Sequence, residues 1–204
     1  MRALSFIVAD RASFGVARDD GIHEASREFR DRFADLRDVL RAGALDELDT
    51  NVDGAALSDP IHYLPTVPNP GKILCVGVNY RPHAEEMGRE LPAYPLLFAR
   101  FPDSVVGHEQ PLLAPVASLQ YDFEGEVAVV IGRRAHRVSA ADAAEVVAGY
   151  SAFMDGSVRD WQRHTSQFLP GKNFAASGAF GPWLVTPDER PPGQPIRLET
   201  RVNG

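Results

Sequence analysis

The stretch Tyr121-Asp-Phe-Glu-Gly-Glu-Val-Ala-Val-Val-Ile-Gly132 constrains this chain more than any other, because its two halves demand opposite surroundings. From Phe123 to Gly132 it reads as the clearest strand in the sequence, and alternate residues of a strand share a face at steps of ~6.6 Å. Asp122, Glu124 and Glu126 therefore point the same way. The run Val127–Ile131 that follows is wholly apolar, which implies burial on both faces. Carboxylates at the mouth of a buried strand repel one another and lose hydration unless something positive lies between them. A divalent cation is the simplest remedy. With no Cys or His beside the acids, their oxygen donors favour Mg2+, Mn2+ or Ca2+ over zinc. A solvated, acidic strand end is the alternative on local pattern alone.

Around this segment the chain reads as many short strands with few helices. The 17 glycines and 16 prolines favour turns over long helices. Ala3 to Val8 and Ser13 to Ala17 read as strands, with a turn at Asp20-Gly21. Phe29, Phe33, Leu36 and Leu40 form one apolar helical stripe, closed by Gly43 as a C-cap. From Asp59-Pro60 to Gly71 the chain is punctuated by prolines, which divides a small N-terminal module (1–70) from a main domain (71–204). Lys72 to Val78 reads as a strand, Asn79 to Met87 as a loop entering a short helix, and Pro92 to Leu113 as irregular chain. Ser139 and Asp142 have capping-box spacing at the head of an alanine-rich helix ending near Gly149. Tyr150 to Met154 and Trp183 to Thr186 are further strands, with a helical turn at Val158 to Arg163.

Composition narrows the function. A net charge of -7 argues against nucleic acid, whose phosphates call for clustered Lys and Arg. No apolar window is long enough to span a bilayer, and one cysteine excludes an internal disulfide framework, so a cytoplasmic protein is expected. Cys75, inside an apolar strand, reads as packed rather than nucleophilic.

Two more groups bear on chemistry. Asp155 ends an apolar strand just before a helical turn, where an aspartate is commonly a cap; beside Glu124 and Glu126 it becomes a candidate third ligand. If Pro82 occupies a first helical turn, His83 and Glu86 stand at i and i+3. A carboxylate on an imidazole raises its basicity, as a general base for water requires; an incidental surface pair is the bland alternative.

Taken in order, Lys72-Ile-Leu-Cys-Val-Gly-Val-Asn-Tyr80 with His83 and Glu86, the acidic Tyr121–Gly132 segment, Asp155 with Arg159-Asp-Trp-Gln162, and Gly171-Lys172 with Gly181-Pro-Trp183 resemble the fumarylacetoacetate hydrolase family over about residues 71 to 204. The resemblance implies an α+β, β-rich fold: a mixed β-sandwich roll with a small N-terminal α/β module, usually a homodimer. It implies that Glu124, Glu126 and Asp155 hold the metal, that His83 and Glu86 form a catalytic dyad on a lid, that Lys172 stabilises the developing oxyanion, and that Arg159 and Gln162 hold substrate. Family members continue beyond the point equivalent to Gly204, so a fragment or a truncated product is expected. The activity implied is divalent-metal-dependent hydrolysis of a carbon–carbon bond in a small 2-oxo or 1,3-dioxo acid. The same enolate chemistry admits an isomerase or decarboxylase acting on a 2-hydroxymuconate-type dioate. A non-catalytic, truncated family member is the third reading.

Overall fold

The computed structural model describes residues 1–86, 88 and 90–204 of the chain, so the expected Asn79–Met87 segment ends at a residue outside those described. In chain order the elements are β1 (Arg2–Val8), β2 (Arg11–Arg18), β3 (Gly21–Glu24), α1 (Arg27–Arg32), α2 (Leu36–Ala42), α3 (Leu45–Leu48), β4 (His62–Tyr63), β5 (Ile73–Gly77), α4 (Arg81–Glu86) and β6 (Leu96–Arg100). After them come β7 (Val105–Val106), β8 (Tyr121–Asp122), β9 (Gly125–Ile131), β10 (Val147–Met154), β11 (Ser157–Val158), α5 (Arg159–Gln162), α6 (Leu169–Lys172), β12 (Gly178–Phe180) and β13 (Leu184–Val185). Strands dominate and helices are short, the α+β, β-rich architecture expected from the sequence.

The first hairpin turns at Ala9-Asp10, both left-handed (φ +46° and +59°), which suits the right-handed twist of the strands it joins. β1 is buried on both faces. Ala3 packs with Phe14 and Val16 against the helices, through Phe29, Leu36, Val39, Leu40 and Leu48, while Leu4, Phe6 and Val8 pack on the opposite face with Tyr63 and Trp183. The expected single helix along Phe29–Leu40 is two. Phe33 is extended (φ -131°, ψ 122°), and Asp35 starts α2 by accepting the Asp38 amide at 2.9 Å. An aspartate that caps a new helix outcompetes continuation of the old one, yet the stripe survives because Phe29, Leu36 and Leu40 all still reach the core. Gly43 closes α2 in the left-handed conformation (φ +68°).

Among the described residues nine strands form one mixed sheet in the order β3-β2-β1-β13-β10-β12-β7, with β4 also on β1 and β9 also on β10. β1 and β13 pair through Arg2↔Val185 and Ala3↔Leu184, so the sheet runs continuously across the proline-rich stretch. That stretch is itself built in: β4 pairs with β1, and Ser5 Oγ donates to the Thr66 carbonyl at 2.9 Å. The N-terminal ammonium adds ion pairs to Asp188 (2.7 Å) and Glu189 (2.9 Å) just beyond β13.

Three expectations for the main domain need correcting. Ser139 Oγ accepts the Asp142 amide and donates to the Asp142 carboxylate, but only a 3₁₀ turn, Ala143–Val146, follows them. Val147 then joins β10 opposite Ile131, and ladder pairing wins over an alanine run whose side chains lie exposed and bury nothing. The bulge here needs Gly149 (φ +154°), where a Cβ would lie 2.2 Å from the Val185 carbonyl oxygen. Second, β9 is not buried on both faces. Ala128 and Val130 pack on the core, while Val129 and Ile131 remain 50% and 55% exposed. The run Leu96–Arg100, expected to be irregular, is β6, paired antiparallel with β5 in a separate two-stranded sheet.

Candidate functional site

The acidic segment is bent where the chemistry sits. Tyr121-Asp122 pairs with Ser157-Val158 and Gly125–Ile131 pairs with β10, leaving Phe123 and Glu124 as the hinge between two ladders. The Asp155 amide donates to the Glu124 carbonyl at 2.8 Å, so the end of β10 and this hinge are locked side by side. Asp155 does not cap α5, whose N-cap is Val158. Its buried carboxylate faces two cations instead: Lys172 Nζ at 2.7 Å from Oδ2 and Arg100 at 2.6 Å from Oδ1.

Lys172 is 1% exposed and reaches Glu124 Oε2 as well, at 2.7 Å. α6 holds it there by packing tightly on α5: a Cβ on Gly171 would lie 2.5 Å from the Gln162 amide nitrogen, so only glycine fits. The Phe98 ring, 5.2 Å from Nζ, closes another side of the ammonium.

Arg159 grips Asp122 Oδ2 through Nε (2.8 Å) and a terminal nitrogen (2.7 Å), while its other terminal nitrogen donates to Glu124 Oε1 and, at 3.1 Å, to Gln162 Oε1. A guanidinium has five N–H donors, so most of Arg159's capacity goes to orienting Asp122, Glu124 and Gln162. Burial works against ionisation of Asp122, but the hydrogen bonds from Arg159 and the Phe123 amide win and hold its carboxyl below the usual range. The same pairing holds the Arg159 guanidinium above its ordinary value although burial opposes it.

Glu126 stands apart. Its Oε2 accepts the Tyr80 hydroxyl at 3.1 Å. Burial, followed by repulsion from Glu124 and Asp155, pushes its carboxyl up, against the opposing pull of Tyr80 and Lys172. In this arrangement Glu124 and Asp155 turn to Lys172, and Glu126 turns to Tyr80. Among the described residues, no three His, Cys, Asp or Glu side chains are grouped as a metal ion requires. The reason is electrostatic, since the ammonium already supplies the positive charge that two adjacent carboxylates need. The donor chemistry still suits a hard divalent cation, with oxygen-only ligands and four carboxylates (Asp122 included) against the cations Arg100, Arg159 and Lys172.

His83 and Glu86 lie on one face of α4, with Nδ1 3.7 Å from Oε2 and side chains 55% and 82% exposed. Among the described residues, the ion pair of His83 is with Glu86 and not with the carboxylate cluster. Burial, then the charge of Asp155, pushes the Cys75 thiol up to about 12, so it is protonated and unreactive at neutral pH.

Arg100 is the residue that sequence reasoning missed. Its side chain is fully buried and bonds Asp155, the Gly156 carbonyl (3.0 Å), Ser104 and Ser177 Oγ (2.8 Å). The signal available was a four-residue apolar run, Leu96–Ala99, strand-like and followed at once by the basic Arg100.

Residues 72–204 match the family model described as Fumarylacetoacetate (FAA) hydrolase C-terminal. The chain belongs to the fumarylacetoacetate hydrolase family. Within that family it is 38% identical over 145 residues to the oxaloacetate tautomerase Fahd2a, mitochondrial, of Rattus norvegicus, covering 71% of this chain and 46% of the rat protein. The chain thus spans about half the length of that relative. Among solved family structures, the fumarylacetoacetate hydrolase of Exiguobacterium antarcticum superposes with a TM-score of 0.77 at 30% identity, over 92% of this chain and 67% of the other. The 5-carboxymethyl-2-hydroxymuconate delta-isomerase of Mycobacterium smegmatis superposes with a TM-score of 0.71 at 28% identity, over 91% and 67%. Among the described residues no helix is long and apolar enough to cross a membrane.

Proposed function

We propose that the centre built from Glu124, Asp155, Lys172 and Arg159 carries out proton-transfer chemistry on a small 2-oxo acid: keto–enol tautomerisation or double-bond isomerisation through an enolate. One observation carries this reading. A buried ammonium, Lys172 Nζ, lies 2.7 Å from each of two carboxylates, Glu124 and Asp155. Moving a proton between carbon and oxygen needs a base, an acid and a positive field for the enolate, and no activated water. Lys172 holds a proton at Nζ beside the site where an enolate oxygen would develop. Glu124 and Asp155 hold that ammonium in place, and Glu126 forms no ion pair among the described residues. A divalent cation such as Mg2+, held by Glu124, Glu126 and Asp155, would supply Lewis-acid polarisation of the 2-oxo group when bound. The Gln162 side-chain amide and the one remaining Arg159 N–H would meet the substrate carboxylate. The relatives named as a tautomerase and an isomerase favour this class.

Carbon–carbon hydrolysis is the second reading, favoured by the His83–Glu86 pair and by the hydrolase among the solved relatives. One experiment separates the two. Loss of enol absorbance from freshly dissolved oxaloacetate and cleavage of an acylpyruvate are followed with Mg2+, then with EDTA. The proton-transfer reading expects accelerated enol–keto exchange that survives His83→Ala. Acylpyruvate cleavage without any acceleration of enol exchange sinks it, and inactivity in both assays favours a non-catalytic member. The same reading includes a homodimer, supported by the exposed Leu74, Val76 and Leu97 on the β5–β6 sheet and testable by sedimentation. It also includes a reducing, cytoplasmic setting, supported by the lone Cys75.

A further inference from the structure

A second charged centre lies away from these acids, in the N-terminal module. There β2 and α1 border an open cavity of about 360 Å³ lined by Arg11, Ser13, Phe14, Arg27, Arg30 and Asp31. That volume falls in the range of roughly 300–1,000 Å³ typical of small-ligand sites. Beside this cavity is Glu24, a buried carboxylate from β3. Arg11 meets its Oε1 at 2.7 Å, Arg30 meets its Oε2 at 3.0 Å, and the buried Ser13 hydroxyl also donates to it. A carboxylate is thus already gripped from both sides by guanidinium groups.

The grip does not exhaust the donors. Glu24 takes one nitrogen each from Arg11 and Arg30, each guanidinium has five N–H groups, and the Arg11 side chain is half exposed. Arg27, the first residue of α1, enters none of the ion pairs formed among the described residues. Glu24, Asp31 and Asp53, whose Oδ2 lies 4.0 Å from Arg30, balance the three guanidinium groups in charge, so the spare capacity lies in the N–H donors of Arg11 and Arg27. Phe14 and Ala34 supply an apolar wall.

We infer that this cavity is a binding site for a small oxyanion, carboxylate or phosphate, held by Arg11, Arg27 and Arg30. Forked, charge-assisted hydrogen bonds select planar or tetrahedral oxyanions over halides. Its location separates it from the Lys172 centre, so it needs no assumption about the reaction.

The test titrates succinate and, separately, inorganic phosphate into the full chain at constant ionic strength, reading amide shifts by 1H–15N NMR. The site expects saturable shifts at Ser13, Phe14 and Arg30, weakened about tenfold or more in Arg27→Gln, an exposed change that leaves Glu24 paired. Saturation by succinate alone assigns a carboxylate ligand, and equal saturation by phosphate assigns a general oxyanion site. Unmoved amides with both anions, or shifts that Arg27→Gln leaves unchanged, overturn the inference.

Discussion

Lys172 Nζ and Asp155 Oδ2 stand 2.7 Å apart with both side chains at or below 5% exposure, so neither charge is hydrated and each depends on the other. Asp155 keeps a second partner in Arg100, whereas the ammonium's other carboxylate, Glu124, is shared with Arg159. Lys172→Met should therefore abolish activity and lower the free energy of unfolding by about 3 kcal/mol, the lower end for breaking a buried pair, because Arg100 still compensates Asp155. Urea denaturation and the enol assay check the two effects together.

Arg100 should be less replaceable than Lys172. Its guanidinium satisfies Asp155, Gly156, Ser104 and Ser177 at once, a set that no primary ammonium can reproduce in one plane. Arg100→Lys should cost about 2 kcal/mol and Arg100→Leu about 4 kcal/mol in chemical denaturation, since the second leaves buried acceptors unpaired. Equal stability for all three proteins would count against the network.

Glu126→Gln should raise the melting temperature of the metal-free protein at neutral pH. Burial and the charges of Glu124 and Asp155 raise the folded-state value of Glu126, so its ionised form costs stability at high pH. The penalty is complete above the raised value and disappears as pH falls below the unfolded value near 4.3. The advantage of the variant should shrink on acidification, and any stabilisation by added Mg2+ should be lost with it. Thermal scans from pH 4 to 8, with and without Mg2+, read both.

His23 should make the N-terminal module sensitive to pH. It is 2% exposed, and its ring nitrogens face two oxygens, Asp20 Oδ1 at 3.0 Å and the Asp53 carbonyl at 3.1 Å, an arrangement satisfied in full only by the protonated ring. The Asp20 hydrogen bond, then the Asp53 carbonyl, raise its value against burial. A raised folded-state value means that the stabilisation is fully present below about pH 6.5 and fades as pH climbs through the raised value. The stability gap between the native protein and His23→Gln should narrow across that window, as seen by circular dichroism melts.

How much of this was readable beforehand differs by residue. The carboxylates of Tyr121–Gly132, Asp155 and the Gly171-Lys172 pair stand out because charge inside apolar, glycine-bounded runs is costly without a partner. The Phe29–Leu40 stripe likewise announces a buried helical face. Arg100 did not stand out, since its partner Asp155 is 55 residues away and no local pattern links them. The helix break at Phe33 and the loss of the alanine-rich helix after Ser139 are cases where a side-chain cap or a ladder partner beat intrinsic propensity.

Chemical character is local: which runs favour strands, where acids interrupt apolar chain, and which glycines allow close approach all follow from residues within a few positions of one another. Pairing is not local. Whether Glu124 meets a metal ion, Arg159 or Lys172, and whether Glu126 joins it or turns to Tyr80, depends on through-space distances between β9, β10, α5 and α6. Coulomb energy and desolvation follow those distances rather than sequence separation, so only the folded arrangement could assign each acid its cation.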